Sequence, residues 1–168
     1  MTMSKVYEEG YDAGMKILQE KFGGKDNVIS LATIACEPNA AGQPRPVVRD
    51  VDAMYEDGVF YAAVNANTKK MKQIAQNPEV SVAVHFGWFS ANGVAENLGW
   101  VLDPKNAELR TRIRSTFEWY DSVTNENDES NVFLAIRLTR GTIILDHHAK
   151  YYHMDFVNKT ETAEGQIV

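Results

Sequence analysis

Two adjacent lysines, Lys69 and Lys70, stand where the sequence pattern predicts the start of a short helix. Thr68, directly before them, is a preferred N-cap residue, and Asn77-Pro78 ends the helix. Cations at the positive end of a helix dipole are slightly unfavourable, by roughly 0.3–1 kcal/mol each. A bound anion makes the two lysines favourable there, because a hydroxyl, free backbone amides and cations together bind phosphate. We therefore predict a phosphate site here, with a solvated lysine pair on a helix surface as the alternative.

Arg49 is the second candidate, because it lies on the more apolar face of a predicted strand over residues 46–55. A guanidinium on that face needs an anionic partner, since an unpaired buried charge is costly. That partner is either a ligand or a local Asp or Glu at the margin of the sheet. Residues 59–64 form the returning strand of a hairpin, ~5 Å away, and residues 68–70 follow it directly. We therefore expect Arg49 to converge with residues 68–70 on one phosphate, with Arg45 as the competing arginine.

Four histidines, His85, His147, His148 and His153, are the remaining candidates for chemistry. The last three cluster in the stretch HHAKYYH, which raises the possibilities of a metal site, an axial haem ligand or a turn of solvated imidazoles. Their spacing matches no standard zinc pattern, and Cys36 is the single cysteine of the chain. We predict no metal site, and no arrangement of residues indicates a serine or cysteine nucleophile.

Composition places the chain among ordinary globular proteins. It has 168 residues and a net charge of −6, which excludes a general nucleic-acid-binding surface. No apolar run approaches the ~18 residues that a membrane helix needs, and the polar start MTMSKVYEEGYDAG differs from a signal peptide. A lone cysteine fits a reducing cytoplasm. We expect one cytoplasmic domain over residues 1–168.

The elements that position these residues follow from apolar periodicity and turn signals. An amphipathic helix is predicted over about 4–22, followed by a barrel over about 28–157 and a polar tail over 158–168. The helix that begins with the lysine pair has the apolar stripe Met71, Ile74 and Ala75. Asp103-Pro104 starts another helix, and a bend or bulge is expected near Arg140-Gly141. Hairpin order indicates a mainly β fold, an antiparallel barrel of six to seven strands with about three α-helices.

An ordered set of short motifs resembles the flavin-mononucleotide (FMN)-binding split barrels of the pyridoxamine 5′-phosphate oxidase-like superfamily. The resemblance covers about residues 28–146. It is closest to the branch described as general stress or nitroimidazole-resistance-like proteins. The motifs, in order, are Gly42-Gln43-Pro44, Arg49, Asp57-Gly58, Phe60-Tyr61, Thr68-Lys69-Lys70 and Asn77-Pro78.

The resemblance implies a cofactor site and a type of reaction. The phosphate of FMN would lie on Arg49, Thr68, Lys69 and Lys70, and the isoalloxazine ring would lie along the strand at 61–64. The full set implied is Arg49, Asp50, Val51, Tyr61, Ala62, Ala63, Val64, Thr68, Lys69 and Lys70. It also implies a homodimer with flavin at the interface, and NAD(P)H-dependent reduction of a small organic molecule. Independently of the resemblance, His148 is a candidate proton donor to the flavin, since histidine titrates near neutral pH, but solvated imidazoles are the favoured interpretation of the cluster and no catalytic residue is assigned.

Departures from the family pattern keep other functions open. The chain ends VNKTETAEGQIV, without the arginine-rich substrate motif of true pyridoxamine 5′-phosphate oxidases, so vitamin B6 oxidation is not expected. One alternative is a non-enzymatic flavin carrier or redox-responsive regulator. Another is a haem-binding relative that uses the histidine cluster, and a deazaflavin could take the place of FMN.

Overall fold

The computed structural model describes residues 5–162 and confirms the mainly β prediction. Within that range the chain forms eight strands and four α-helices. The strands are β1 Asp26–Ile34, β2 Pro46–Glu56, β3 Val59–Asn65, β4 Glu79–Val84, β5 Phe89–Trp100, β6 Asn131–Leu145, β7 Lys150–Asp155 and β8 Thr160–Thr162. The helices are α1 Tyr11–Phe22, α2 Lys69–Gln76, α3 Ala107–Thr116 and α4 Tyr120–Val123.

All strands belong to one antiparallel sheet, in which β3 also pairs with β6. That pairing closes the first six strands into a barrel, and β7 and β8 extend the sheet beyond it. The strand β6 changes partner along its length, from β3 at Asn131–Arg137 to β7 at Arg140–Leu145. Its register against β5 skips Thr139 at that point, which is a β-bulge. The bend predicted near Arg140-Gly141 is confirmed.

The barrel wall opens between β2 and β3. These strands pair only where Met54–Glu56 meets Val59–Tyr61, next to their connecting turn. Asp57 and Gly58 in that turn have φ of 46° and 79°, as a two-residue hairpin turn with both central residues left-handed requires. Beyond the turn, residues 46–53 and 62–65 have no pairing with each other. Two strand edges are thus left facing a gap.

Two apolar clusters enclose β3. The barrel interior is filled by fully buried residues such as Leu31, Phe60 and Leu134. A second cluster forms where α3 and α4 cover the outside of the barrel, around Ile113 and Phe117. Asp103 begins this helical region as predicted, since its Oδ1 accepts a hydrogen bond from Lys105 N at 3.0 Å.

Both ends of the chain differ from the prediction. The first helix begins at Tyr11 instead of residue 4, because Gly10 adopts a φ of 96° that α-helix excludes. The segment before it carries Glu8, whose carbonyl accepts a hydrogen bond from Tyr152 on β7. Residues 160–162, predicted as polar tail, instead form β8 on the open edge of β7. Backbone pairing on an edge needs no apolar side chains, so a polar sequence does not exclude it.

Candidate phosphate site at the split of the barrel

Arg49 lies on the inward face of β2 and is half-buried. Its guanidinium donates hydrogen bonds from Nη1 to Leu31 O at 3.0 Å and Thr33 Oγ1 at 2.7 Å, and from Nη2 to Gln73 Oε1 at 2.8 Å. All three acceptors are neutral. No ion pair joins Arg49 to an acidic side chain among residues 5–162, so the predicted alternative of a local Asp or Glu partner is absent there. Burial lowers the pKa of Arg49 from its ordinary value, although an arginine remains charged.

The hydrogen bonds of Arg49 leave part of its donor set unused. A guanidinium has five N–H groups, and the three bonds to Leu31, Thr33 and Gln73 involve only Nη1 and Nη2. Nε–H and the second Nη2–H have no acceptor within the described part of the chain. Two adjacent N–H groups on one edge of a guanidinium match the oxygens of a phosphate or carboxylate.

The start of α2 contributes further donors. Thr68 occupies the N-cap position, as predicted, but its side chain does not cap the helix. The Thr68 hydroxyl instead donates to Asn65 O at 2.8 Å. The first amides of a helix have no intrahelical acceptor, and here the N-cap side chain supplies none. These N–H groups therefore remain open to an anion.

Arg49 contacts α2 at Gln73, one turn after Lys70, whereas Lys69 is exposed to solvent. Lys70 is half-buried, and both its burial and the charge of Arg49 lower the pKa of its amine. Two like charges held together in a partly desolvated place are unfavourable unless an anion joins them. Lys69 and Arg45 are exposed.

Gln73 is a site residue that the sequence pattern did not reveal. The predicted stripe included Ala75, which is exposed, whereas Gln73 is 8% exposed and packs against β1. Helix periodicity assigns a polar residue to the solvent side by default. The one available signal was the position of Gln73 directly beside Ile74, at the margin of the buried face.

The predicted ring-binding residues of β3 lie along the gap in the barrel wall. Ala62 and Val64 are buried in the interior, while Tyr61 and Ala63 pack on the second cluster. One edge of β3 pairs with β6 throughout, and the other loses β2 as a partner after Tyr61. Alternate backbone N–H and C=O groups of residues 62–64 are therefore open toward the gap, while Asn65 O accepts from Thr68.

Asp50 and Val51 divide between the two faces of β2. Val51 packs at the margin of the barrel core, on the same face as Arg49. The Asp50 carboxylate points to the opposite face, where Oδ1 lies 3.1 Å from His85 Nε2 and accepts from Ser30 Oγ at 3.3 Å. Asp50 therefore borders the gap through its backbone, while its carboxylate faces away from it.

The histidine cluster lies on the β6–β7 hairpin, outside the six-strand barrel. His147 and His148 are exposed in the turn, and His148 Nδ1 is 2.6 Å from the Tyr151 hydroxyl. His153 is 7% exposed, which corrects the expectation of a solvated imidazole. Its Nδ1 lies 3.1 Å from Thr142 Oγ1, and its buried Nε2 has no partner among the described residues. Over residues 5–162, no group of three or more His, Cys, Asp or Glu has the arrangement of a metal site.

Comparisons with known proteins identify the fold. No protein-family model and no curated protein matches the sequence. General stress protein 26 from Bacillus anthracis str. Sterne superposes with a TM-score of 0.58 at 18% identity, over 82% of this chain and 98% of that chain. A protein related to general stress protein 26, of the pyridoxinephosphate oxidase family, from Clostridium acetobutylicum gives a TM-score of 0.55 at 12% identity, over 88% and 95% of the two chains. A haem-binding protein from Mycobacterium smegmatis gives a TM-score of 0.64 at 14% identity, over 90% of this chain and 60% of that chain.

The chain has the split-barrel fold of the pyridoxamine 5′-phosphate oxidase-like proteins. The resemblance predicted from the motifs is thereby confirmed for the fold. In this split barrel, the gap between β2 and β3 carries Arg49 on one side and leads to α2 on the other. Every helix within residues 5–162 falls short of the length and apolarity needed to span a bilayer.

Proposed function

We propose that this chain is an FMN-binding oxidoreductase that works as a homodimer with flavin at the interface. The observation that carries the proposal is the pair of cations Arg49 and Lys70 at the uncapped start of α2. Both are half-buried, and neither has an acidic partner in the described range. A phosphate dianion would join the two charges and accept from the open N–H groups of Arg49 and of the first turn of α2.

The rest of the cofactor would extend from that phosphate along the gap in the barrel wall. Thr68 and Lys69 would border the phosphate, while the backbone of Asp50 and Val51 would border the gap from the side of β2. Tyr61, Ala62, Ala63 and Val64 would meet the isoalloxazine ring mainly through the free edge of β3, where the small side chains of Ala62 and Ala63 allow close approach. When bound, FMN would supply hydride and electron transfer between a reduced nicotinamide and a small organic acceptor.

The protein's own part in this reaction is to bind and orient the flavin. The acid and base pair Asp50–His85 lies on the face of β2 opposite Arg49, so we assign it no role at the flavin and name no catalytic residue. The fold similarity to a protein of the pyridoxinephosphate oxidase family supports the family resemblance from which FMN is inferred.

Visible absorption is the first test. Purified protein is desalted before and after incubation with FMN, and we expect retained flavin bands. The double variant Lys69→Glu, Lys70→Glu should lose the flavin while keeping the far-UV circular dichroism of the wild type. Lys72→Glu provides the matched control, because Lys72 is exposed on the same helix and should leave retention unchanged. Equal retention by the double variant and the wild type would refute the site.

Anaerobic addition of NADH or NADPH then separates an enzyme from a carrier. Bleaching of the bound flavin supports the oxidoreductase, whereas failure of both donors favours the flavin carrier or regulator. A Soret band after haem addition, lost when His147, His148 and His153 are replaced, would support the haem-binding alternative instead.

A further inference from the structure

Three polar side chains form a closed set of hydrogen bonds behind the candidate phosphate site. Thr33 Oγ1 donates to Gln73 Oε1 at 2.6 Å, and Arg49 donates to Thr33 Oγ1 at 2.7 Å and to Gln73 Oε1 at 2.8 Å. Thr33 is 1% exposed and Gln73 is 8% exposed. The set joins β1, β2 and α2, so it couples the strand that carries Arg49 to the helix that carries the lysines.

The donor and acceptor of each of these hydrogen bonds follow from the groups involved. Arginine has only donors, so the oxygen of Gln73, not its NH₂ group, must face Arg49. The Thr33 hydroxyl uses its lone pair for Arg49 and its proton for Gln73. Together with the bond from Nη1 to Leu31 O, these bonds fix the orientation of the guanidinium.

The acceptors that hold Arg49 are uncharged. A glutamate at position 73 would have nearly the same shape, would accept the same bonds, and would pair with the Arg49 charge. Such a pair would stabilise the free protein and compete with a bound phosphate. Neutral oxygens fix the guanidinium without cancelling its charge.

We propose that Thr33 and Gln73 are positioning residues that hold Arg49 through neutral oxygens and so reserve its charge and two open N–H groups for a phosphate monoester. The inference rests on the proposed function, since FMN is the monoester expected. It adds a reason for an uncharged side chain at position 73.

Two substitutions at Gln73 separate this role from a purely structural one. Gln73→Glu keeps the shape and adds a charge, whereas Gln73→Met keeps the volume and removes the acceptor. We expect Gln73→Glu to weaken FMN binding by at least about tenfold while the apo-protein melts no lower than the wild type. We expect Gln73→Met to lower the apo melting temperature but to weaken binding less than Gln73→Glu does. A purely structural role predicts the opposite order, with affinity following stability.

Gln76→Glu is the matched control, because Gln76 is exposed one turn along the same helix and receives the same change of charge. The readouts are the dissociation constant from quenching of FMN fluorescence and the rise in apo melting temperature with inorganic phosphate. Wild-type affinity in Gln73→Glu, or an equal loss in Gln76→Glu, would overturn the inference while leaving the proposed function intact. If the wild type binds phosphate but not FMN, the proposed function fails, and the rise in melting temperature with phosphate still tests the role of Gln73. If the wild type binds neither phosphate nor FMN, the proposed function and the role of Gln73 are both refuted.

Discussion

Replacing Arg49 by Met should abolish most of the affinity for FMN, whereas replacing Arg45 should not. Both arginines stand near the start of β2, and the sequence allowed either to bind phosphate. The structure separates them, because Arg49 is half-buried on the inward face and Arg45 is exposed. Arg45→Met is thus a control that removes the same charge from a nearby position.

The expected magnitude follows from the donors that Arg49 leaves open. Nε–H and one Nη2–H have no acceptor among residues 5–162, so a phosphate would gain two hydrogen bonds from them. Each hydrogen bond to a charged group contributes about 1.5–3 kcal/mol. Two of them together correspond to roughly 10²- to 10⁴-fold in the dissociation constant. Arg49→Lys should recover only part of this, because an ammonium lacks the planar pair of donors.

Quenching of FMN fluorescence measures this directly, at one fixed ionic strength because salt screens the cation cluster. Circular dichroism and thermal unfolding of each apo-variant show whether the barrel is retained. The reasoning is refuted if Arg49→Met binds FMN within about threefold of the wild type while folded. It is equally refuted if Arg45→Met loses as much affinity as Arg49→Met.

Three further predictions concern the barrel and its helices. Burial raises the pKa of Tyr55 to about 12, above the unfolded value of about 10, so stability should be full below pH 10 and decline toward pH 12. Burial also raises the pKa of Tyr120, so Tyr55→Phe should reduce that decline without abolishing it, in urea unfolding measured at pH 9 and pH 11. A Cβ at Gly14 would overlap the Met154 sulfur, so Gly14→Ala forces the buried Met154 side chain to move, at a cost of about 1 kcal/mol that offsets the ~1 kcal/mol gained in helix propensity. That cost should vanish in a Met154→Ala background, which a double-mutant cycle by urea unfolding would detect. The hydrogen bond from Arg110 lowers the pKa of Glu126, so this ion pair stabilises the folded protein above the usual Glu pKa, and the stabilisation is lost on acidification. Glu126→Gln should therefore reduce the drop in melting temperature between pH 7 and pH 3.

Local signals in the sequence were sufficient for most of the elements. Alternation of apolar residues located β2 and β3, and Asp57-Gly58 located the turn that joins them. Asp103-Pro104 located the start of the helical region before α3. These features depend on the conformational preferences of a few neighbouring residues, which is why a single sequence reveals them.

Of the residues around the candidate phosphate site, the sequence revealed the cations and the N-cap Thr68 but not the acceptors that hold Arg49. Arg49 and Lys70 stand out because a cation on an apolar face or at a helix start requires an explanation. Thr33 and Gln73 carry no such anomaly, and Gln73 appears as an ordinary polar residue of a surface helix. Its role depends on how α2 rotates against β1, which is a property of packing between distant segments.

Local sequence patterns were enough to predict the run of strands, turns and helices and the cations that they carry. Tertiary structure decided how the barrel closes, where β8 lies, and which acceptors hold Arg49. The pairing of β3 with β6 joins Tyr61 to Ala135, and β8 adds Thr160 beside Asp155. The physical reason is that strand pairing across long stretches of chain depends on which apolar faces can be buried together. That balance belongs to the whole molecule and leaves no local pattern in the sequence.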